Sequence, residues 1–171
     1  MLPHLSPKHI LRDGLTLSFK LTTLILTSLY YNADMWRHDY HPAIQEQLPP
    51  LPAKSKKQAN FTATIFMTII MRHLIHTNRA LHQRANGRVS FTTAFLHNYF
   101  VLTIFNAIDA FILDYFLFKF KPKWLILPGT EGHPAYDDYG FHLKASAKGL
   151  LLTILPSTIA AYLTSRHHPQ N

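Results

Sequence analysis

The sequence predicts an all-α fold: a bundle of four transmembrane helices forming one integral membrane domain over residues 1–171. Three observations carry that expectation. The charged residues (17 Lys+Arg and 9 Asp+Glu) are clustered, and the stretches between clusters are apolar. The longest uncharged stretch, 89–108, reaches the ~20 residues a helix needs to cross ~30 Å of hydrocarbon. The apolar stretches also lack the charged face that a soluble amphipathic helix carries opposite its buried stripe.

The first helix is expected at about 15–33. Its uncharged part, 21–33, extends upstream across Lys20, whose long stem lets the ammonium snorkel toward an interface. Lys8 and Arg12 ahead of this run, and Asn32-Ala33 at its end, have the layout of a secretory signal. The long lead and the Tyr30-Tyr31 pair, suited to an interfacial belt, favour an uncleaved helix. The second helix is expected at 58–78. Its Thr hydroxyls bond back to carbonyls one turn earlier or serve helix contacts in lipid. Nothing breaks a helix between Ser55 and Ala85, so this one overshoots the bilayer and ends at Asn86-Gly87. The third is expected at 90–118. The fourth, 147–165, contains Pro156, which spanning helices tolerate. A basic soluble four-helix bundle is the alternative. It requires a charged face that 60–71 and 91–108 do not have.

Composition narrows the function classes. Hydrophobic residues at 47% and aromatics at 13% exclude a disordered chain. The absence of Cys excludes disulfides, thiolate metal sites, iron–sulfur clusters and Cys nucleophiles. A formal charge of +8 is compatible with nucleic acid, but the cations flank apolar runs instead of lining one face. The expected partner is therefore the lipid bilayer with its anionic headgroups, and not nucleic acid. Counting Lys and Arg on the two sides of the membrane nearly ties. The short, acid-free second loop, with Arg72, Arg79, Arg84 and Arg88 around it, points to both termini in the cytoplasm.

The third helix carries the sharpest chemical signal. At α-helical spacing Asn98, Asp109, Asn106, Thr103 and Asp114 fall at about 0°, 20°, 80°, 140° and 160°. A carboxylate at bilayer depth costs ~2.5–3.5 kcal/mol, and such residues mark ion, proton or substrate paths. Asn106, Asp109 and Asp114, with His142 of the third loop, are the candidate path. The competing reading has the acids bonding to neighbouring helices and fixing their packing. After the first helix, Trp36-Arg37-His38-Asp39-Tyr40-His41-Pro42 offers His38, Asp39 and His41 as candidate metal ligands, since two His three apart share a helical face. An interfacial aromatic belt is the alternative. Loops one and three lie on one side of a four-span bundle. His38, Asp39, His41, Glu131, Asp137, Asp138 and His142 are therefore expected near Asp114, unless both loops are simply solvated. His73, His76 and His97 could ligate a metal or haem, but a helical His near a basic end is more often a cation or a hydrogen-bonded packing residue. No phosphate loop, nucleophile elbow, HExxH or dinucleotide fingerprint is present, and no cofactor is assigned.

The chain resembles a family of small, four-span, functionally uncharacterised bacterial membrane proteins. The resemblance rests on Trp36-x-His38-Asp39-Tyr40, Asn106-x-x-Asp109 with Leu113-Asp114, Pro128-Gly129-Thr130-Glu131-Gly132 and Asp138-Tyr139-Gly140-Phe141-His142-x-Lys144. Tyr115 and Ala145 stand where the family usually has Trp and Gly. The resemblance implies a cell-membrane location and the four-span topology, and no activity. Three functions stay open: a small transporter or ion-coupled carrier using the acids of helix three, a membrane-interface enzyme with a His/Asp site, or a non-catalytic accessory subunit bound to a membrane partner or to its own copies.

Overall fold

The computed structural model describes residues 4–165, and every regular element among them is helical. In chain order these are α1 (Pro7–Tyr31), a 3₁₀ segment (Ala33–Asp39), the single turn α2 (Pro42–Gln45), α3 (Ala53–Arg84), α4 (Phe91–Ile108), a π-helical segment (Asp109–Leu117), α5 (Phe118–Phe120), a second 3₁₀ segment (Pro134–Asp137), α6 (Tyr139–Leu152) and α7 (Ile154–Ser165). The all-α expectation is met. Two helical units are long and apolar enough to cross a membrane: Phe91–Phe120, made of α4, the π segment and α5, and Tyr139–Ser165, made of α6 and α7. α1 and α3 have the length, at 25 and 32 residues, but mix in more polar side chains.

Helix ends follow local chemistry more than the edges of apolar runs. α1 starts at Pro7, well before 15, because proline is preorganised for the first helical position. α3 ends as Asn86-Gly87 predicts. Asn86 and Gly87 take φ of 49° and 79°, Gly87 N–H bonds the His82 carbonyl at 2.8 Å, and Asn86 N–H bonds that of Gln83 at 3.3 Å. This pattern is a Schellman cap. The last helix begins at Tyr139 and not 147, because Asp138 Oδ1 accepts the Phe141 N–H at 3.1 Å and caps it. It then breaks at Thr153. Pro156 lacks an N–H and crowds the carbonyl four residues back, at Leu152, so the break falls next to that residue.

The four long units form a ring in which α1 packs on α4, α4 on α7, α7 on α3 and α3 on α1. Buried positions recur every three or four residues on each: Ile10, Gly14, Leu17, Leu21 and Ile25 on α1, and Thr93, His97, Asn98 and Val101 on α4. The inward residues of α7 are Ser157, Ala160, Ala161 and Thr164, all small. Large apolar side chains point the other way, with Phe19, Phe120, Leu143 and Leu152 each more than 70% exposed. Only 22% and 28% of the apolar stretches in the two span-length units are buried.

The tightest approach of α1 to α4 is at Gly14, where a Cβ would lie 2.8 Å from Ile104 Cβ. Gly14→Ala is therefore expected to cost ~1–3 kcal/mol, since Ile104 is itself held in the bundle. A fall in the thermal midpoint of detergent-solubilised protein checks this. An unchanged midpoint would mean the helices have slack there.

Candidate functional site

The two loops at one end of the ring pack into a lid. Tyr40, Ile44, Leu125, Leu127 and Tyr136 are all 1% exposed or less, and they share a core with Ile25, Leu29, Leu113 and Phe118. Their polar groups are paired, as burial requires. Tyr40 donates to the Leu125 carbonyl at 2.7 Å. Tyr136 Oη accepts the Leu127 N–H at 3.1 Å. Thr130 Oγ1 gives its proton to the Leu127 carbonyl at 2.7 Å, so it must accept from Tyr136, also at 2.7 Å. Arg37 ties the first loop together, bonding Asp34 at 2.6 Å and the Pro49 carbonyl at 2.5 Å. The picture of two solvated polar loops is thus corrected: the aromatic and aliphatic residues between the charges bury against each other.

Beneath this lid lies a cavity of about 590 Å³. Its walls include Ile25, Leu29, Phe66, Phe105 and Leu113, and its polar lining includes Asp39, Asn106, Asp109, Asp114, His142 and Ser146. His38 and Asp39 also border an adjoining recess between the first loop and α3. His142 sits on α6 and not in a loop. Its Nδ1 lies 3.3 Å from Asp114 Oδ1, with the ring against Phe118 at a centroid distance of 4.2 Å. Asn106 Nδ2 donates to the Ser146 hydroxyl at 2.9 Å and to its carbonyl at 3.2 Å, tying α4 to α6.

Asp109 and Asp114 both reach the cavity because the chain between them is wound as a π-helix. In an α-helix, residues five apart diverge by ~140°. Bonding i→i+5 widens the turn and brings residues five apart nearly above one another, and such segments recur at functional sites.

Asp39 shows its surface to the cavity mouth while protein crowds it on the other sides. That desolvation, with the Asp114 carboxylate second, pushes its carboxyl above the ordinary value. The sign follows. The folded state binds this proton more tightly than the unfolded chain does, so Asp39's contribution to stability is complete below ~3.9, its unfolded value, and is lost as pH rises through the raised folded value. Melting curves in detergent should show that loss over the acidic range. Asp39→Asn should flatten it, and an unaltered slope in the variant would refute the assignment.

The remaining candidates have local duties. Tyr40 lies in extended backbone between His38 and His41, so the shared helical face expected for the two His does not form. His41 Nδ1 instead accepts the Ala43 N–H at 3.2 Å and caps α2, while its Nε2 lies 3.4 Å from Asp138 Oδ2. Glu131 accepts the Gly129 N–H at 2.9 Å, and Asp137 pairs with Lys121 at 2.5 Å. Among the described residues, no group of three His, Cys, Asp or Glu side chains is placed to hold a metal ion. A sequence signal for the capping role was present: His-Pro-Ala occurs at 41–43 and again at 133–135, and His133 Nδ1 likewise accepts the Ala135 N–H at 3.1 Å. Set against family models, curated proteins and solved structures, the chain matches none of them.

Proposed function

We propose that this chain is a multi-pass cell-membrane protein, related to the four-span bacterial family it resembles, that binds a small organic cation in the lid-end cavity and carries it across the bilayer. One observation carries the reading: among the described residues, the cavity lining has three carboxylates, Asp39, Asp109 and Asp114, and no Lys or Arg. Charged groups of one sign in a low-dielectric recess select the opposite charge. The apolar walls suit the hydrocarbon part of such a ligand, and Trp36 on the same wall suits a cation–π contact.

The membrane part of the reading is supported by the placement of side chains. The inward residues of α7 are small, and Phe19, Phe120, Leu143 and Leu152 face out, which fits helices solvated by lipid better than helices solvated by water. In this arrangement α1, α3, α4 through α5, and α6 with α7 are the four spans, with both termini on the cytoplasmic side.

The test uses Trp36 as reporter in a Trp124→Phe background. Tetraethylammonium should quench its fluorescence saturably in purified protein, and a neutral amide of similar size should not. Equal responses to both, or no response to the cation, would overturn the proposal. The His142–Asp114 contact favours a second reading, an interfacial enzyme in which that pair moves a proton. There His142→Gln would remove turnover and leave tetraethylammonium binding intact.

A further inference from the structure

A second polar cluster lies in the other half of the bundle, where α1, α3 and α4 meet. Asp13 of α1 is 4% exposed. Its Oδ1 accepts from Arg12, Nε at 2.9 Å and Nη2 at 2.7 Å. Its Oδ2 lies 3.3 Å from His97 Nε2, an ion pair whenever the imidazole is protonated. His97 is fully buried, and its Nδ1 has no hydrogen-bond partner among the described residues. Next to them, His73 is fixed. Its Nε2 lies 2.9 Å from the Asp13 carbonyl, which only accepts, so Nε2 carries the proton and Nδ1 faces the Lys20 ammonium at 3.4 Å. Toward α7, Asn98 Oδ1 and Ser157 Oγ are buried with no hydrogen-bond partner among the described residues.

A buried carboxylate and a buried imidazole in contact take up and release a proton as a pair. Here a buried carboxylate oxygen and a buried imidazole nitrogen are held 3.3 Å apart. Asp13 therefore has two counter-charges, one at each carboxylate oxygen. One is Arg12, whose side chain is 56% exposed and able to withdraw toward solvent. The other is His97 once it gains a proton. The charged and titratable groups around the pair are Arg12, Lys20 and His9 on α1 and His73 and Arg84 on α3. Of the inward residues of α7, Ser157 and Thr164 are polar and none is titratable. With so many cations nearby, a proton stays on His97 only through its contact with Asp13 Oδ2, which makes the site exchangeable instead of permanently charged.

We propose that Asp13 and His97 hold the proton that this protein exchanges for the cation in its cavity. The inference rests on the carrier reading. The proton arrives from water at His97 Nε2, is shared with Asp13 Oδ2, and leaves to water on the other side, with no other bond made or broken. His97 and Asp109 are ~18 Å apart along one helix. Leu17, Leu21, Ile70, Leu74, Val101 and Leu102 fill the space between the two sites. Direct repulsion over that distance is weak, so coupling runs through α4, which carries a residue of each site.

The experiment follows radiolabelled tetraethylammonium, which has no proton of its own to lose, in proteoliposomes. An interior-acid pH gradient should raise wild-type uptake about tenfold, within the usual range of coupling between sites. Asp13→Asn and His97→Gln should each abolish that gradient-driven uptake while labelled-for-unlabelled counterflow, which moves no proton, continues. Asp13→Glu should restore part of the gradient response. Wild-type uptake indifferent to the gradient, or a gradient response retained in either variant with counterflow intact, would overturn the proton assignment and leave the carrier reading standing. Absence of both uptake and counterflow in wild type would sink the carrier reading and this inference with it. If Asp13→Asn does not insert, His97→Gln and the wild-type gradient response decide.

Discussion

Asp109→Asn is expected to weaken tetraethylammonium binding by at least about 100-fold while the protein stays folded. The exchange keeps side-chain shape and removes one of the three carboxyl groups that line the site. At an effective dielectric near 20 and a separation of ~5 Å, one charge pair is worth ~3 kcal/mol, or somewhat more than two decades of affinity. The folded state should not suffer, because removing one carboxylate relieves repulsion with Asp39 and Asp114 across the cavity. Trp36 quenching gives the affinity, and size-exclusion with near-UV circular dichroism gives the fold. A folded variant that binds the cation as tightly as wild type would remove Asp109 from the site.

Gly149→Val is expected to destabilise by ~1–3 kcal/mol and to distort the cavity wall at the same time. Gly149 is the point where α6 comes against α4, and any Cβ there runs into Asn106 Oδ1. The displaced amide is the one that bonds Ser146, so the clash also loosens the tie between the helices. Gly149→Ala should cost less, in the same direction. The assignment has an internal check. In an Asn106→Ala background the obstacle is gone, and the penalty of Gly149→Ala should largely disappear in a double-mutant cycle. Additive penalties would mean that the contact is not the cause.

Much of this was legible from residue patterns because hydrophobic spacing and end signals are local. Asn86-Gly87 stops α3 through backbone freedom that no distant residue supplies. The sidedness of the loops follows from counting helices, and it places His38, Asp39 and His142 at the same end as Asp114. What could not be read depended on contacts between segments. The π winding that turns Asp109 and Asp114 together is a tertiary compromise between α4, α6 and the lid. Asp13 reads as one more charge in a basic flank beside Lys8 and Arg12, and only the register of α1 against α4 turns it inward. Its position on the stripe Ile10, Leu17, Leu21 was the available clue. The His caps hid behind the ligand reputation of histidine.

The break at Thr153 makes the final helical unit two levers on one joint. The upper lever is fastened to the ligand chamber through Ser146 and His142. The lower is fastened to α4 and α3, where Asn98 donates to the Ser157 carbonyl and Asn78 to the Thr164 hydroxyl, each at 3.2 Å. Pro156 withholds the strut that would stiffen the elbow. A tilt of one arm is thus passed to the other, or absorbed, at a single pivot standing between the acidic chamber and the buried Asp13–His97 pair.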